Sequence, residues 1–493
     1  MPLTESARRQ WAALLAGASG ILCFAPFGLF WLAPLPWLVL FTLLRHATTP
    51  KQAAWTGFLF GAGFFLAGVS WVFISLSTFG GMPWWLAGPA TLGFCLLLAL
   101  CPALAGGLFK RWQPEAFWRQ ALFFATLIAA VDWLRGWIFT GFPWLALGYS
   151  QAPPSPLAGF APLIGVYGVS LLLALAAASL LRWRVGLAII ALLAVTGFGL
   201  RQIDWTEAQG EPVRVALVQG NIPQEMKFQP DAFIRTLTLY YELVAANPAQ
   251  LTILPETALP TFIDRIPAEY LADLKALAQR QQGDLIFGGV TGELPDRYFN
   301  SAISIGQSGM QIYSKHHLVP FGEFIPAGFA WLMAQANIPM SSFSAGPARQ
   351  VPLQVAGHNI AVNICYEDVF GNEIIRPLPD AGILANLSNT AWFGRSLAQP
   401  QHLQIAQLRA AETGRPMLRA TNTGMTAIID AQGNVLSTLE PFTTGVLTGE
   451  VRSYQGSTPY IRFGDWPFLG LLLLSLALCL MPNRARRPKR HQN

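Results

Sequence analysis

The chain has 493 residues, of which 53% are hydrophobic and only 12% charged, against about 25% charged in an ordinary soluble protein. That balance excludes a disordered tail, a collagen-like fibre and a small disulfide scaffold, and the mean hydropathy of +0.40 is too high for a chain bathed in water on every side. The formal net charge of +6 does not make a nucleic-acid binder either, because the basic residues punctuate apolar runs instead of clustering on one face. The class that remains is a membrane protein.

A helix needs about 20 apolar residues to cross the hydrocarbon core. In chain order such runs fall at 10–26, 29–45, 54–77, 83–109, 117–138, 159–181, 184–200 and 466–482. They predict about eight spans, with Pro26, Pro34 and Pro36 breaking the first forty-five residues. Arg8 and Arg9 ahead of the first run have the look of a signal peptide, but no small-residue cleavage site follows, so a retained anchor is expected. Lys and Arg then fall in alternate links: Arg45 and Lys51; Lys110, Arg111 and Arg119; Arg182 and Arg184; and Arg484, Arg486, Arg487, Lys489 and Arg490 in the tail. The links 26–29, 78–82 and 139–158 carry none. Positive residues stay inside, so both termini are expected in the cytoplasm and the long segment after the seventh span outside it. Asp132 and Arg135 lie in the fifth run at a spacing that lets them face each other. They read either as a self-neutralising pair near the membrane surface or as a functional intramembrane pair.

The expected organisation is a helical membrane part over 1–200, a polar linker over 201–212, a soluble domain over 213–452, and a last span with a basic tail over 453–493. In the soluble part, strand-like runs cover Val213–Val218, Leu251–Leu254, Leu285–Val290, Ser301–Ile305, Ile360–Ile364, Ile383–Leu387, Thr426–Asp430 and Val446–Thr448. Helical patterns cover 230–246, 267–281 and 400–413, and Asp430-Ala-Gln-Gly433-Asn434 reads as a hairpin turn. Interleaved strands and helices predict a layered α/β domain, with no repeat of fixed period. The stretch 324–343 (FIPAGFAWLMAQANIPMSSF) is unusually apolar for such a domain. It reads as a core helix or as a mobile arm that dips into the outer leaflet.

Cys23, Cys95, Cys101 and Cys479 all fall in membrane runs, which leaves Cys365 alone in the soluble domain. A lone thiol outside the cytoplasm is inert packing or a reactive group. Its place at the end of the strand-like Ile360–Ile364, just before Tyr366-Glu367-Asp368, favours the second. A thiol needs a base or a nearby cation to attack. Glu256 closes the apolar strand Leu251-Thr-Ile-Leu-Pro, and Lys315 follows another strand-like run, so a base and a cation stand at comparable strand ends.

These residues lie in LPET (Glu256), YSKHHLVPFGEF (Lys315) and NICYED (Cys365), which resemble, in order and spacing, the Glu-Lys-Cys motifs of the nitrilase superfamily. Val218-Gln-Gly-Asn221, Asn386-Leu-Ser-Asn389 and Trp392-Phe393 fit as well, and the arrangement of spans around the domain resembles one membrane branch, the apolipoprotein N-acyltransferase family. Phe228 stands where that branch leads one to expect Trp, and Thr390 where it leads one to expect Asp. The resemblance implies an αββα nitrilase-like sandwich outside the cytoplasm and a cysteine thioester acyl-enzyme. In this reading an acyl chain passes from a membrane phospholipid to the α-amine of a diacylglyceryl-modified apolipoprotein cysteine. It implies Cys365 as nucleophile, Glu256 as general base and Lys315, with the Tyr366 backbone N–H, on the oxyanion. Glu323 and Glu367 support them, and Phe228, Trp331, Asn389 and Trp392 contact substrate. No metal or cofactor is implied, and a monomer in a bacterial inner membrane is expected. Two alternatives stay open: a membrane-tethered amidase or nitrilase acting on a small amide, and a non-catalytic transporter or scaffold.

Overall fold

The computed structural model describes residues 4–227, 230–293, 297–325 and 342–481. Phe228, Trp331, most of the 324–343 stretch and the basic tail lie outside the described residues. The membrane part contains α1 (Glu5–Ser19), α2 (Pro34–His46), α3 (Pro50–Val69), α4 (Trp84–Arg111), α5 (Phe117–Arg135), α6 (Ala161–Ser179) and α7 (Trp183–Leu200). Five described helical segments are long and apolar enough to cross a membrane: α3, α4, α5, α6 with its leading turn from Pro156, and α7. Phe30–His46 and Trp466–Leu480 are shorter apolar helices, and α1 opens on Glu5, Arg8 and Arg9. Eight spans are therefore not reached on length and composition. Pro34 is one reason, since its missing N–H is tolerated in a first helical turn and so starts α2 afresh. Gly57 and Gly63 of α3 sit where a Cβ would strike the Pro102 and Leu14 carbonyls of α4 and α1, the close backbone approach that small residues permit in membranes.

The soluble domain holds α8 (Pro230–Ala246), α9 (Ala268–Arg280) and α10 (Ala398–Thr413). Its strands are β1 (Thr206–Gln219), β2 (Leu251–Ile253), β3 (Asp284–Glu293), β4 (Arg297–Gly306), β5 (Gln311–Ser314) and β6 (Leu353–Val355), followed by β7 (His358–Ile364), β8 (Ile383–Ser388), β9 (Met417–Thr421), β10 (Ala427–Ile429), β11 (Val435–Thr438) and β12 (Gly445–Gly456). They form two six-stranded sheets, ordered β12-β1-β2-β3-β4-β5 and β11-β10-β9-β8-β7-β6. In the first sheet β1, β2 and β3 run parallel; in the second, β7, β8 and β9 do. The remaining neighbours are antiparallel. The two sheets thus repeat one topology, although the sequence has no fixed period.

The alternation of apolar residues explains the layers. Val213, Val215, Leu217, Ile253 and Ile286 meet Ile360, Val362, Ile364, Ile383, Ala385 and Leu418 between the sheets. Leu237, Tyr240 and Leu274 of α8 and α9 cover the outer face of the first sheet, and Leu403, Ala406 and Ala410 of α10 cover that of the second. The result is an αββα nitrilase-like sandwich. The other side of α10, with Ala398, Ile405 and Leu408, packs into the membrane bundle together with Tyr366 and Phe370.

Several strand boundaries differ from expectation, most of all those of β1 and of β12, which runs to Gly456, past the expected end of the soluble domain at 452. β1 starts at Thr206, inside the stretch expected to be a polar linker, because its N-terminal half pairs with Ser453–Gly456 of β12 past an irregularity between Gln209 and Val213. Exposed strand residues carry no hydrophobic alternation to betray them. β6 and β9 are additional to the strand-like runs read in the sequence, while β5 is the run before Lys315 and β11 the strand after the 430–434 turn; all are short. The 430–434 hairpin turn is present, with Asp430 Oδ1 accepting from the Gln432 and Asn434 N–H groups.

Candidate active site

The ends of the parallel strands in both sheets converge, the usual place for a ligand in an open α/β sheet. Cys365 follows β7 directly and sits at φ 54°, a left-handed conformation that costs a non-glycine residue free energy and persists only when surroundings hold it. Two anchors do so. Asn386 Nδ2 on β8 donates to the Cys365 carbonyl at 3.0 Å, and the Ile364 N–H donates to Glu367 Oε2 at 2.7 Å.

Lys315 leaves β5 and is almost wholly buried, at 1% exposure. Its ammonium lies 2.8 Å from Glu323 Oε2 and 3.4 Å from Glu256 Oε1. Glu256 opens the turn after β2. Its Oε1 also accepts from Asn300 Nδ2 at 2.8 Å, and its Oε2 from the Asn389 N–H at 2.8 Å. Glu323 is tied down by Asn300 Nδ2 and the Val319 N–H, each at 2.8 Å. The Glu323 carbonyl accepts from the Phe343 N–H at 2.9 Å, which pins both ends of the 324–343 stretch beside this cluster.

Glu367 is a clamp between loops. Its Oε1 accepts from the His316 and His317 N–H groups, and its Oε2 from Ile364 N–H and the Tyr313 hydroxyl. The Lys315 loop and the Cys365 turn therefore share one carboxylate. Tyr366 packs the other way: its hydroxyl donates to the Gly141 carbonyl at 3.0 Å and its ring stacks on Phe142. Asn389 reaches Glu256 through its backbone, while its side chain donates to Gln224. Trp392 stands apart, against the membrane part, with its carbonyl accepting from Ser75 Oγ and its ring edge-on to Phe79.

The charges set the resting chemistry. Burial pushes the Cys365 thiol up to about 12, Glu256 adds to this, and Lys315 opposes it. Burial also works against the Lys315 ammonium, but Glu323 and Glu256 more than offset it, so its pKa lies above the ordinary lysine value. At neutral pH the site holds a protonated thiol beside a permanent cation, so a base has to take the proton as attack begins. Burial raises the Glu367 carboxyl, with Lys315 and the donated N–H groups opposing. Among the described residues no three or more His, Cys, Asp or Glu side chains gather as a metal site requires.

The family model for the apolipoprotein N-acyltransferase N-terminal domain matches residues 16–179, and that for carbon-nitrogen hydrolase matches 214–460. Relatives named apolipoprotein N-acyltransferase are 49% identical in Nitrosomonas europaea (97% of this chain, 99% of the relative) and 46% identical in Chromobacterium violaceum (95% and 93%). A third, from Ralstonia nicotianae, is 44% identical (97% and 95%). The chain belongs to the apolipoprotein N-acyltransferase family. It is a multi-pass membrane protein with a nitrilase-like domain, and an acyltransferase of lipoprotein maturation.

Within this N-acyltransferase frame, two residues that sequence reasoning passed over complete the site. Lys227 is buried and donates to the Glu256 carbonyl at 3.1 Å and to Thr257 Oγ1 at 3.3 Å. Burial lowers its pKa to about 8, against the pull of Glu256 and Cys365. It balances the charge: two lysines face two carboxylates in a water-poor site, where an unpaired charge is costly. Asn300 bridges Glu256 and Glu323 from the middle of β4. Lys227 was open to discovery as the cation in the loop after the first parallel strand, the counterpart of the loop that carries Cys365. Nothing local marks Asn300.

Proposed function

We propose that the protein transfers a fatty acyl chain from a membrane phospholipid to the free α-amine of a diacylglyceryl-modified N-terminal cysteine, in two steps through a Cys365 thioester. Glu256 takes the Cys365 proton as sulfur attacks the ester carbonyl. Lys315 and the Tyr366 backbone N–H hold the oxyanion, as preorganised donors do in acyl transfer. The ester C–O bond breaks, Glu256 returns the proton to the departing lysophospholipid oxygen, and the thioester remains. The apolipoprotein amine then attacks the thioester carbonyl and gives its proton to Glu256. The C–S bond breaks, and the sulfur regains a proton from Glu256. Glu323 and Glu367 position Lys315 and the nucleophile turn, and Phe228, Trp331, Asn389 and Trp392 are assigned to substrate binding.

The observation that carries this reading is the contact of Lys315 with both Glu256 and Glu323 at the strand ends where Cys365 turns, on the side of the domain that packs into an apolar helical bundle. The expected boundaries at 213 and 452 move outward with β1 and β12: residues 1–200 and the chain after Gly456 are assigned to the membrane part, and Thr206–Gly456 to the catalytic domain. Alternation of Lys and Arg supports cytoplasmic termini and a periplasmic domain in a bacterial inner membrane. The triad comes from one chain, so a monomer suffices, and the chemistry needs no cofactor.

Intact mass measurement after mixing the purified protein with phospholipid in detergent tests this. An acyl-sized, hydroxylamine-sensitive adduct on Cys365 is expected, slowed about 10²- to 10⁴-fold in Glu256→Gln. An unmodified Cys365, with a small amide hydrolysed instead, would replace acyl transfer with hydrolysis.

A further inference from the structure

The Asp132–Arg135 pair in α5 has no part in the chemistry above, yet it is far more connected than a pair that merely cancels its own charge. Arg135 Nη2 lies 3.1 Å from Asp132 Oδ1. Arg135 Nη1 also donates to two carbonyls of the loop after α5, Phe142 O at 2.6 Å and Trp144 O at 2.5 Å. Asp132 Oδ2 accepts from the Leu147 N–H at 2.8 Å and from Ser170 Oγ at 3.1 Å. Self-neutralisation would require none of these four bonds.

The loop they hold is strained. Phe139, Thr140 and Leu145 adopt φ 53°, 77° and 59°, positions where side chains are disfavoured and which persist only when over-determined. Gly141, at φ 91°, lies so close to Phe370 and the Gly136 carbonyl that a Cβ would strike both. On this loop rests the residue after the nucleophile: the Tyr366 hydroxyl donates to Gly141 O, and the Tyr366 ring stacks on Phe142.

We propose that Asp132 and Arg135 are positioning residues for the nucleophile, clamping the 139–147 loop into the strained shape that seats Tyr366 and thereby the Cys365 turn. The proposal rests on the acyl-transfer reading, in which the Tyr366 N–H faces the oxyanion. Arginine suits the task because its planar fork reaches several acceptors at once, whereas a lysine ammonium is a point charge.

The test uses the full chain in detergent and three variants: Arg135→Lys, Tyr366→Phe and the double. Single-turnover acylation of Cys365 by phospholipid and alkylation of Cys365 by iodoacetamide are followed by intact mass. Each single change is expected to slow acylation about 10²-fold, the scale of a misplacement of about 1 Å at a reacting group. The double is expected to be no slower than the slower single, because both changes cut one link. Effects that multiply, or an Arg135→Lys protein that reacts at the wild-type rate, overturn the proposal. Should Arg135→Lys not fold, Tyr366→Phe, which deletes only a hydroxyl, decides alone: wild-type rates there also overturn it. A wild-type protein that takes up no acyl chain would instead sink the acyl-transfer reading, and the alkylation rates would still test the clamp.

Discussion

A carboxylate, a thiol and an ammonium are ordinary side chains until burial changes what they cost. Burial pushes the Cys365 thiol up to about 12, so the proposed mechanism relies on Glu256 to take the proton and not on a standing thiolate. Lys227 is the group whose charge changes near working pH, with its pKa lowered to about 8. Above that value the cluster loses one of the two cations that act on Glu256 and Cys365. Acylation is expected to fall as pH rises through about 8, and Lys227→Met should be slower throughout and lack that limb in a pH–rate profile. Stability should move the other way. Between about 8 and the ordinary lysine value of 10.5 the unfolded chain binds more protons at this residue than the folded one, so its contribution to ΔG of unfolding rises with pH. Denaturant titrations of wild type and Lys227→Met at pH 8 and 10 would show the difference. Glu367 makes a second case. Replacing it by Gln turns one acceptor atom into a donor against N–H groups it now serves, leaving at least one unsatisfied. Glu367→Gln is expected to lose about 2–3 kcal/mol of stability, measured by chemical unfolding, together with acylation, since both catalytic loops hang on that carboxylate.

Among the strands, the site depends on how closely their ends approach. Gly288 of β3 lies where a Cβ would meet the backbone of Pro255, Glu256 and Thr257, and its N–H donates to the Pro255 carbonyl. Gly288→Ala therefore has to push the Glu256 turn away. The expected result is a loss of about 10- to 100-fold in single-turnover acylation in a protein that still folds. A wild-type rate in this variant would mean that the Glu256 turn tolerates displacement. The same scale shows why parts of the domain were legible. The buried central strands read as continuous apolar runs, and α8 is predicted over 230–246, the range of its helix. β9 escaped because its Arg419 breaks the apolar run; that side chain is buried against Asp368 and Asn386. The first half of β1 escaped because its residues face solvent.

Taken whole, the molecule is two bodies joined by α10, a helix buried on all sides although rich in Gln, His, Arg and Glu. Those polar groups bind the membrane part. Gln401 Oε1 accepts from the indole N–H groups of Trp144 at 2.7 Å and Trp71 at 3.3 Å. Glu412 Oε1 accepts from the Val166 N–H at 2.7 Å, where α6 is broken at Gly165, and Arg409 donates to the Tyr149 hydroxyl at 3.2 Å. Gln401→Leu would strand the Trp144 indole donor in a buried interface, while Trp71 keeps the Gly68 carbonyl at 3.0 Å, at about 1–3 kcal/mol for the unsatisfied group. A lower midpoint of thermal unfolding in detergent is expected, and an unchanged midpoint would show that these bonds do not join the two bodies.

By itself the sequence determined the class of molecule, the central strands and the three motifs at strand ends, because hydropathy over twenty residues, short continuous apolar runs and local motif spacing are all properties of neighbours along the chain. Only the tertiary structure decided which strands lie side by side, that Glu367 ties the Lys315 loop to the Cys365 turn, that Lys227 adds a second cation and Asn300 bridges two carboxylates, and that α5 holds a strained loop on which Tyr366 rests. Those facts depend on groups far apart in sequence becoming partners once water is excluded, and no local pattern encodes the distance between them.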